Sequence, residues 1–228
     1  MSAAALPSYQ PDISQLITED DTPVDNILSE KQQRLLTEPL YSSWEGMGND
    51  RTFVALANVG VFYMARNPAV VPDVLFSADV EMPDDFSLKE NRSYFLWEFG
   101  KAPDIALEIV SNKVGKEDSE KKQIYARMRI EYYAIYDPLE VLMPQKLTVY
   151  RLRGWSYELY DSTAFPEFNL ALTLWEGEFE KHQREWLRWT NDHGELVLTG
   201  KELAAQEKSR ANRLAEKLRA MGVDPTQV

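Results

Sequence analysis

At 228 residues and a formal net charge of -12, the chain has room for one α/β or α+β domain with appendages, and its acidity argues against a general DNA-coating role, which draws on Lys and Arg neutralising phosphates. The absence of cysteine removes disulfides, thiolate zinc sites and cysteine nucleophiles, and fits a reducing compartment. The start MSAAALPSYQPDISQ lacks a basic region and a long apolar core, and no apolar run approaches the roughly 20 residues of a membrane span, so the expectation is a soluble cytoplasmic protein with no membrane partner.

Residues 1–25 are rich in Pro, Ser and Asp and predict a flexible acidic lead-in. DNILSEKQQRLLTEPLYSSW predicts a helix with Ser29 as N-cap and Leu28, Leu35, Leu36 and Leu40 on its apolar face, kinked or ended by Pro39. Strands are expected around residues 53–57 and 59–65, and a third in VVPDVLFSADV, interrupted by the proline before Asp73. DDFSLKENRSYFLWEFGK reads as a loop or hairpin with Phe95, Leu96 and Trp97 packing back.

APDIALEIVS is a nearly continuous apolar run, the pattern of a buried central strand. After the breaker Gly115, a helix is expected from about Ser119, with Ile124, Tyr125 and Met128 as its buried stripe. IEYYAIYDP is another buried strand, closed by the Asp137-Pro138 turn, so about thirty residues make a βαβ-like unit. KLTVYRLRGWSYELY predicts a hairpin turning at Arg153-Gly154, and residues 170–175 a short strand. EKHQREWLRWTNDHGELVLTG suggests strands around a His193-Gly194 turn. ELAAQEKSRANRLAEKLRAMG closes the chain as a charged helix, where Ala204, Ala211, Leu214, Leu218 and Met221 form a short near-heptad seam broken by Glu207. Three segments follow: a lead-in over 1–25, a core domain over 26–175, and an extension over 176–228.

The residues that carry chemistry are Asp73, Glu108 and Lys121. Mg²⁺ and Mn²⁺ take hard oxygen ligands, commonly one or two carboxylates, and keep several waters. Asp73 and Glu108 would supply the carboxylates from neighbouring strands, with the carbonyl after Glu108 as a third oxygen. A lysine near the bound water would stabilise developing charge. Each residue also has a plainer reading: Asp73 a turn residue, Lys121 and Lys122 surface lysines, Glu108 one half of a structural ion pair. Glu108 is the hardest to set aside, because Ile105, Ala106, Leu107, Ile109 and Val110 place it inside an apolar strand. Asp104 shares strand parity with Glu108, but its Cα would lie roughly 13 Å away, too far to share an ion. It reads as a strand-start residue.

These residues match a known pattern. Val71-Pro72-Asp73-Val74, the run from Ala102 to Ser111, Lys121 with Tyr125 four residues on, and the run from Glu131 to Pro138 together resemble the PD-(D/E)xK nuclease superfamily, and more closely its branch of bacterial restriction endonucleases of unknown specificity. The resemblance covers nearly the whole chain, including Trp186-Leu187-Arg188-Trp189 and the charged C-terminal helix. It implies an α/β fold, a restriction-endonuclease-like mixed β-sheet flanked by helices, with a C-terminal β-rich section. It also implies a Mg²⁺- or Mn²⁺-dependent endonuclease acting on DNA, in which Asp73 and Glu108 are the motif acids and metal ligands, and Glu30 is an additional metal-binding acid. The superfamily's lysine two residues after the second acid is Val110 here, and Lys121 on the following helix takes its role, with Glu117 as a polar neighbour.

Other arrangements are weaker. His182 and His193 lack the tight clustering of zinc ligands, Ser111 has no histidine to activate it, and there is no Gly-rich phosphate loop. Trp175, Trp186 and Trp189 read as packing residues rather than a base-stacking platform. Two rivals stand beside a duplex-cleaving enzyme: a nuclease of structured or single-stranded nucleic acid, and a catalytically weakened binding or assembly module. A homodimer through the core or the C-terminal helix is an assembly the sequence allows.

Overall fold

The computed structural model describes residues 13, 16, 26–65, 67–111, 120–222 and 224. The lead-in expected over residues 1–25 therefore lies almost wholly outside the described residues, as do Gly115, Glu117 and Ser119.

Helix α1 (Ile27–Ser42) is capped by Asn26 rather than Ser29. The Asn26 side chain accepts from the Leu28 and Ser29 amides, and this earlier start turns Ser29 into the buried face. Pro39 does not end the helix, which runs on to Ser42 with one backbone bond fewer, since proline has no N–H to donate one turn back. In chain order there follow β1 (Phe53–Ala57), β2 (Val61–Phe62), β3 (Val74–Ala78), β4 (Tyr94–Phe95), α2 (Leu96–Phe99) and β5 (Ile105–Ile109). Next come α3 (Lys122–Met128), β6 (Tyr132–Tyr136), β7 (Leu147–Arg153), β8 (Ser156–Leu159), β9 (Ala164–Phe165), β10 (Leu170–Phe179), β11 (His182–Asn191) and α4 (Gly200–Ala220). The strand expected over 59–65 is thus only β2, parallel to β4. The excursion before β5 is a short 3₁₀ turn, β4 and the single turn of α2, not a hairpin.

The main sheet has the order β1-β3-β5-β6-β7-β8. Its strands are antiparallel except for β5 and β6, which run parallel and are linked through α3 as the βαβ-like unit requires. Every residue of β3, β5 and β6 is buried, which explains their unbroken apolar runs. On one face, α1 and a second sheet enclose Leu36, Leu40, Phe76, Leu107, Tyr132 and Trp189. On the other, Leu75, Ala106, Val110 and Tyr133 pack with Tyr125 and Met128 of α3.

The second sheet, β11-β10-β9, corrects two expectations. β10 extends to Phe179 and pairs with β11 along all ten residues, so the boundary placed after residue 175 cuts a strand. Leu172 of β10 and Leu187 of β11 belong to the same core as the main sheet, so 26–175 does not separate from the strands that follow. The hairpin turns at Glu180-Lys181; near His193-Gly194 the chain makes only a single bridge, Thr190 to Leu196. α4 begins with a Thr199–Glu202 capping box. Among the described residues, no helix is long and apolar enough to cross a membrane.

Candidate active site

Strand register brings Asp73 and Glu108 together. β3 and β5 pair antiparallel with Val74 opposite Leu107, so the next position outward sets Asp73 opposite Glu108. Directly opposed side chains in such a pair share a face, with Cβ atoms about 5 Å apart. Both carboxylates are buried, Asp73 at 7% exposure and Glu108 at 0%. The face is the one that α3 covers.

All four carboxylate oxygens are held. Asp73 Oδ2 accepts from the Ile109 N–H at 2.7 Å, and Oδ1 from Gln33 Nε2 at 2.8 Å. Glu108 Oε1 accepts from the Tyr125 hydroxyl at 2.6 Å, and Oε2 from Lys121 Nζ at 2.8 Å. Lys121 and Tyr125 converge because residues four apart lie on one face of a helix. The long lysine side chain, 30% exposed, also approaches the Val71 carbonyl at 3.4 Å. Val110 shares the face of Glu108 but packs against Tyr125, Met128 and Ile130, so the ammonium at this carboxylate comes from the helix and not from the strand.

Burial dominates the electrostatics. Desolvation pushes Glu108 up to about 8, against the lowering pull of Lys121 and with a further push from the Asp73 charge. Asp73 is also raised, by desolvation first, although the Ile109 N–H, Glu108, Lys121 and Gln33 draw it down. The two carboxyls are close enough for one to hydrogen-bond the other when they share a proton. Such a pair titrates as a unit. Fully ionised, it carries two negative charges against one lysine.

Glu30 does not join this pair. Its carboxylate takes the guanidinium of Arg34 one turn on, and Arg34 in turn binds Glu180 of the β10–β11 turn. Among the described residues, no three His, Cys, Asp or Glu side chains come together at ligand spacing. Gln33, not Glu30, is the α1 residue whose side chain reaches Asp73, and it also exchanges hydrogen bonds with Asn58. Sequence reasoning missed Gln33, and it placed Tyr125 in the buried stripe of α3 and in the family pattern without a role at Glu108. Asp104 is held at the start of β5 by Lys101 at 2.6 Å and by the Ala78 N–H at 2.8 Å. His182 and His193 are exposed, while Trp186 and Trp189 are buried.

Comparison with known proteins gives a family. A family model described as "Uma2: Putative restriction endonuclease" matches residues 17–175. No curated protein and no solved structure gives a significant match. The matched span runs from before α1 into β10 and contains Asp73, Glu108 and Lys121. With its mixed sheet flanked by helices, the chain has the restriction-endonuclease-like fold and belongs to the Uma2 family.

Proposed function

We propose that the protein is a divalent-cation-dependent endonuclease that hydrolyses phosphodiester bonds in DNA. The observation that carries the reading is the pair Asp73–Glu108, buried side by side with Lys121 as the neighbouring cation. Its donor set fits Mg²⁺ or Mn²⁺: two hard, anionic carboxylates, both raised by burial and in need of positive charge. Asp73 and Glu108 would hold the ion. When bound, it supplies Lewis-acid polarisation of the phosphoryl oxygen and acidification of water.

The protein's own groups do the rest. Gln33 and the Ile109 N–H fix the Asp73 carboxylate from two sides, and Tyr125 fixes Glu108. Held in this way, neither carboxylate has to reorganise during the reaction. Lys121, partly exposed at the mouth of the pair, orients the attacking water and stabilises charge developing on the phosphate. The valine at 110 therefore does not leave the site without an ammonium.

The test is incubation of the purified protein with supercoiled, linear and single-stranded DNA in Mg²⁺ or Mn²⁺. Cleavage should fall at least about 100-fold in Asp73→Ala and Glu108→Ala, the loss typical of a removed electrostatic catalyst. Full cleavage by both variants would overturn the reading.

A further inference from the structure

A polar row crosses three strands of the main sheet. β1 pairs with β3 so that Ala57 is opposite Val74, and the next position outward sets Asn58 opposite Asp73, which is in turn opposite Glu108. The Asn58 N–H confirms the register by donating to the Asp73 carbonyl at 3.2 Å. Asn58, Asp73 and Glu108 therefore stand side by side where β1 ends. Two of them are the buried acids of the site, and the third is a neutral residue at the exposed rim. The backbone of Asn58 is left-handed, with φ of 53°. Among residues other than glycine, Asn is one of the few that adopt this conformation readily.

Glycine adopts it more readily still, so the backbone alone does not require asparagine. The amide does. Asn58 Nδ2 donates to Gln33 Oε1 at 2.8 Å, and Gln33 Nε2 donates back to Asn58 Oδ1 at 3.2 Å. The two side chains thus close a ring of hydrogen bonds. A glutamine amide has two N–H groups and one carbonyl. With the carbonyl and one N–H of Gln33 committed to Asn58, the other N–H is left for Asp73 Oδ1, at 2.8 Å. Turned over, Gln33 would set its carbonyl against a carboxylate oxygen, two acceptors with no proton between them. Asn58 thus grips Asp73 twice, by its own backbone and through the Gln33 side chain.

We propose that Asn58 is a positioning residue of the active site: acting through Gln33, it holds the Asp73 carboxylate in the orientation that receives a divalent cation. This rests on the nuclease reading and adds a second layer to it. Glutamine is among the side chains with the most rotamer freedom to lose, so a fixed donor at Asp73 needs something to hold it in place. Outer partners that orient a metal ligand act on metal affinity without touching the ion. The row also accounts for the residue type. Asn satisfies the left-handed turn and the amide ring together, whereas Gly satisfies the turn alone and Ala neither.

The test is the affinity of the full chain for Mn²⁺, measured by calorimetry in wild type, Asn58→Gly, Gln33→Leu and the double variant, each well below its melting temperature. Asn58→Gly keeps the backbone N–H and the left-handed turn and loses only the amide. It should bind Mn²⁺ about 3–10-fold more weakly, and Gln33→Leu about 10–100-fold more weakly, the range for a lost outer partner. The double variant should bind no more weakly than Gln33→Leu, because Asn58 then has nothing to act through. A lower melting temperature in Asn58→Gly with Mn²⁺ affinity unmoved would mean a merely structural role and would overturn the proposal. Losses that multiply in the double variant would overturn it too, since Asn58 would then act without Gln33. Mn²⁺ binding that is abolished in Asp73→Ala but equal in wild type and Asn58→Gly would sink the role of Asn58 and leave the nuclease reading standing. Wild type with no Asp73-dependent Mn²⁺ binding would overturn both.

Discussion

Lys121 closes on Glu108 at 2.8 Å from the start of α3, and the two are a partly exposed cation and a wholly buried acid. The contact joins the helix to a central strand of the sheet, beside Asp73 on the face that α3 covers. The lysine side chain is 30% exposed, while its ammonium sits on the buried carboxylate.

Lys121→Met should lower the cleavage rate by about 10²–10³, the usual loss for one preorganised charge at a developing oxyanion. Glu108 would then lose its chief lowering neighbour, so the pH–rate profile should move to higher pH. Rates measured from pH 6 to 9.5 check both effects. An unchanged profile would remove Lys121 from the site.

The raised position of Glu108 also predicts how stability depends on pH in the absence of metal. The unfolded carboxyl titrates near 4.5 and the folded one near 8, so between these values the folded state binds the extra proton. Stability from this group is therefore full below about 4.5 and declines as pH rises through about 8. Glu108→Gln should flatten that decline and melt several degrees higher than wild type at pH 8.5 in EDTA. Added Mg²⁺ should reverse the order by stabilising wild type alone. Thermal melts at pH 5, 7 and 8.5 would reject the assignment if the two proteins ran parallel.

The residues of this site were unequally legible in the sequence. Glu108 stood out because it interrupts an apolar strand, and that strand is buried at every position. Its partner Asp73 follows from register, which a sequence does not display; taken alone the Pro-Asp pair reads as a turn feature, and the resemblance to the family motif is what marks Asp73 as an acid of the site. Gln33 was invisible, being a neutral amide in a helix whose start was set three residues late, at Ser29 instead of Asn26. The β10–β11 hairpin was misread for a related reason: its turn carries Glu and Lys where Asn or Gly would have announced it. The Gly at 194 drew the turn to a place where the chain merely bends back.

Gln33 and Glu30 can be separated by substitution. Gln33→Leu removes the donor to Asp73 Oδ1 and leaves Asn58 short of a partner, which should cost about 1–2 kcal/mol and lower cleavage through a misplaced carboxylate. Glu30→Gln breaks a surface pair with Arg34, worth well under 1 kcal/mol, and should leave cleavage near wild type. A large cleavage defect in Glu30→Gln with normal melting would restore Glu30 as a metal-site acid.

The docking of α4 depends on a different buried charge. Arg188, 1% exposed, sends both terminal nitrogens to Glu202 at 2.7 Å and one of them also to the Val197 carbonyl at 2.9 Å. Its guanidinium also lies 4.7 Å from the centroid of the Trp175 ring. Glu202 closes the capping box with Thr199, so one carboxylate starts the helix and neutralises the arginine. Glu202→Ala strands the buried guanidinium and opens the cap, and the loss should reach about 3–5 kcal/mol. Replacing both residues, as Arg188→Met with Glu202→Ala, removes the unpaired charge and should recover part of that loss. Chemical denaturation of the two single variants and the double variant measures the coupling. Strict additivity would mean that the pair contributes nothing beyond its separate parts, and that the first turn of α4 is held by the cap alone.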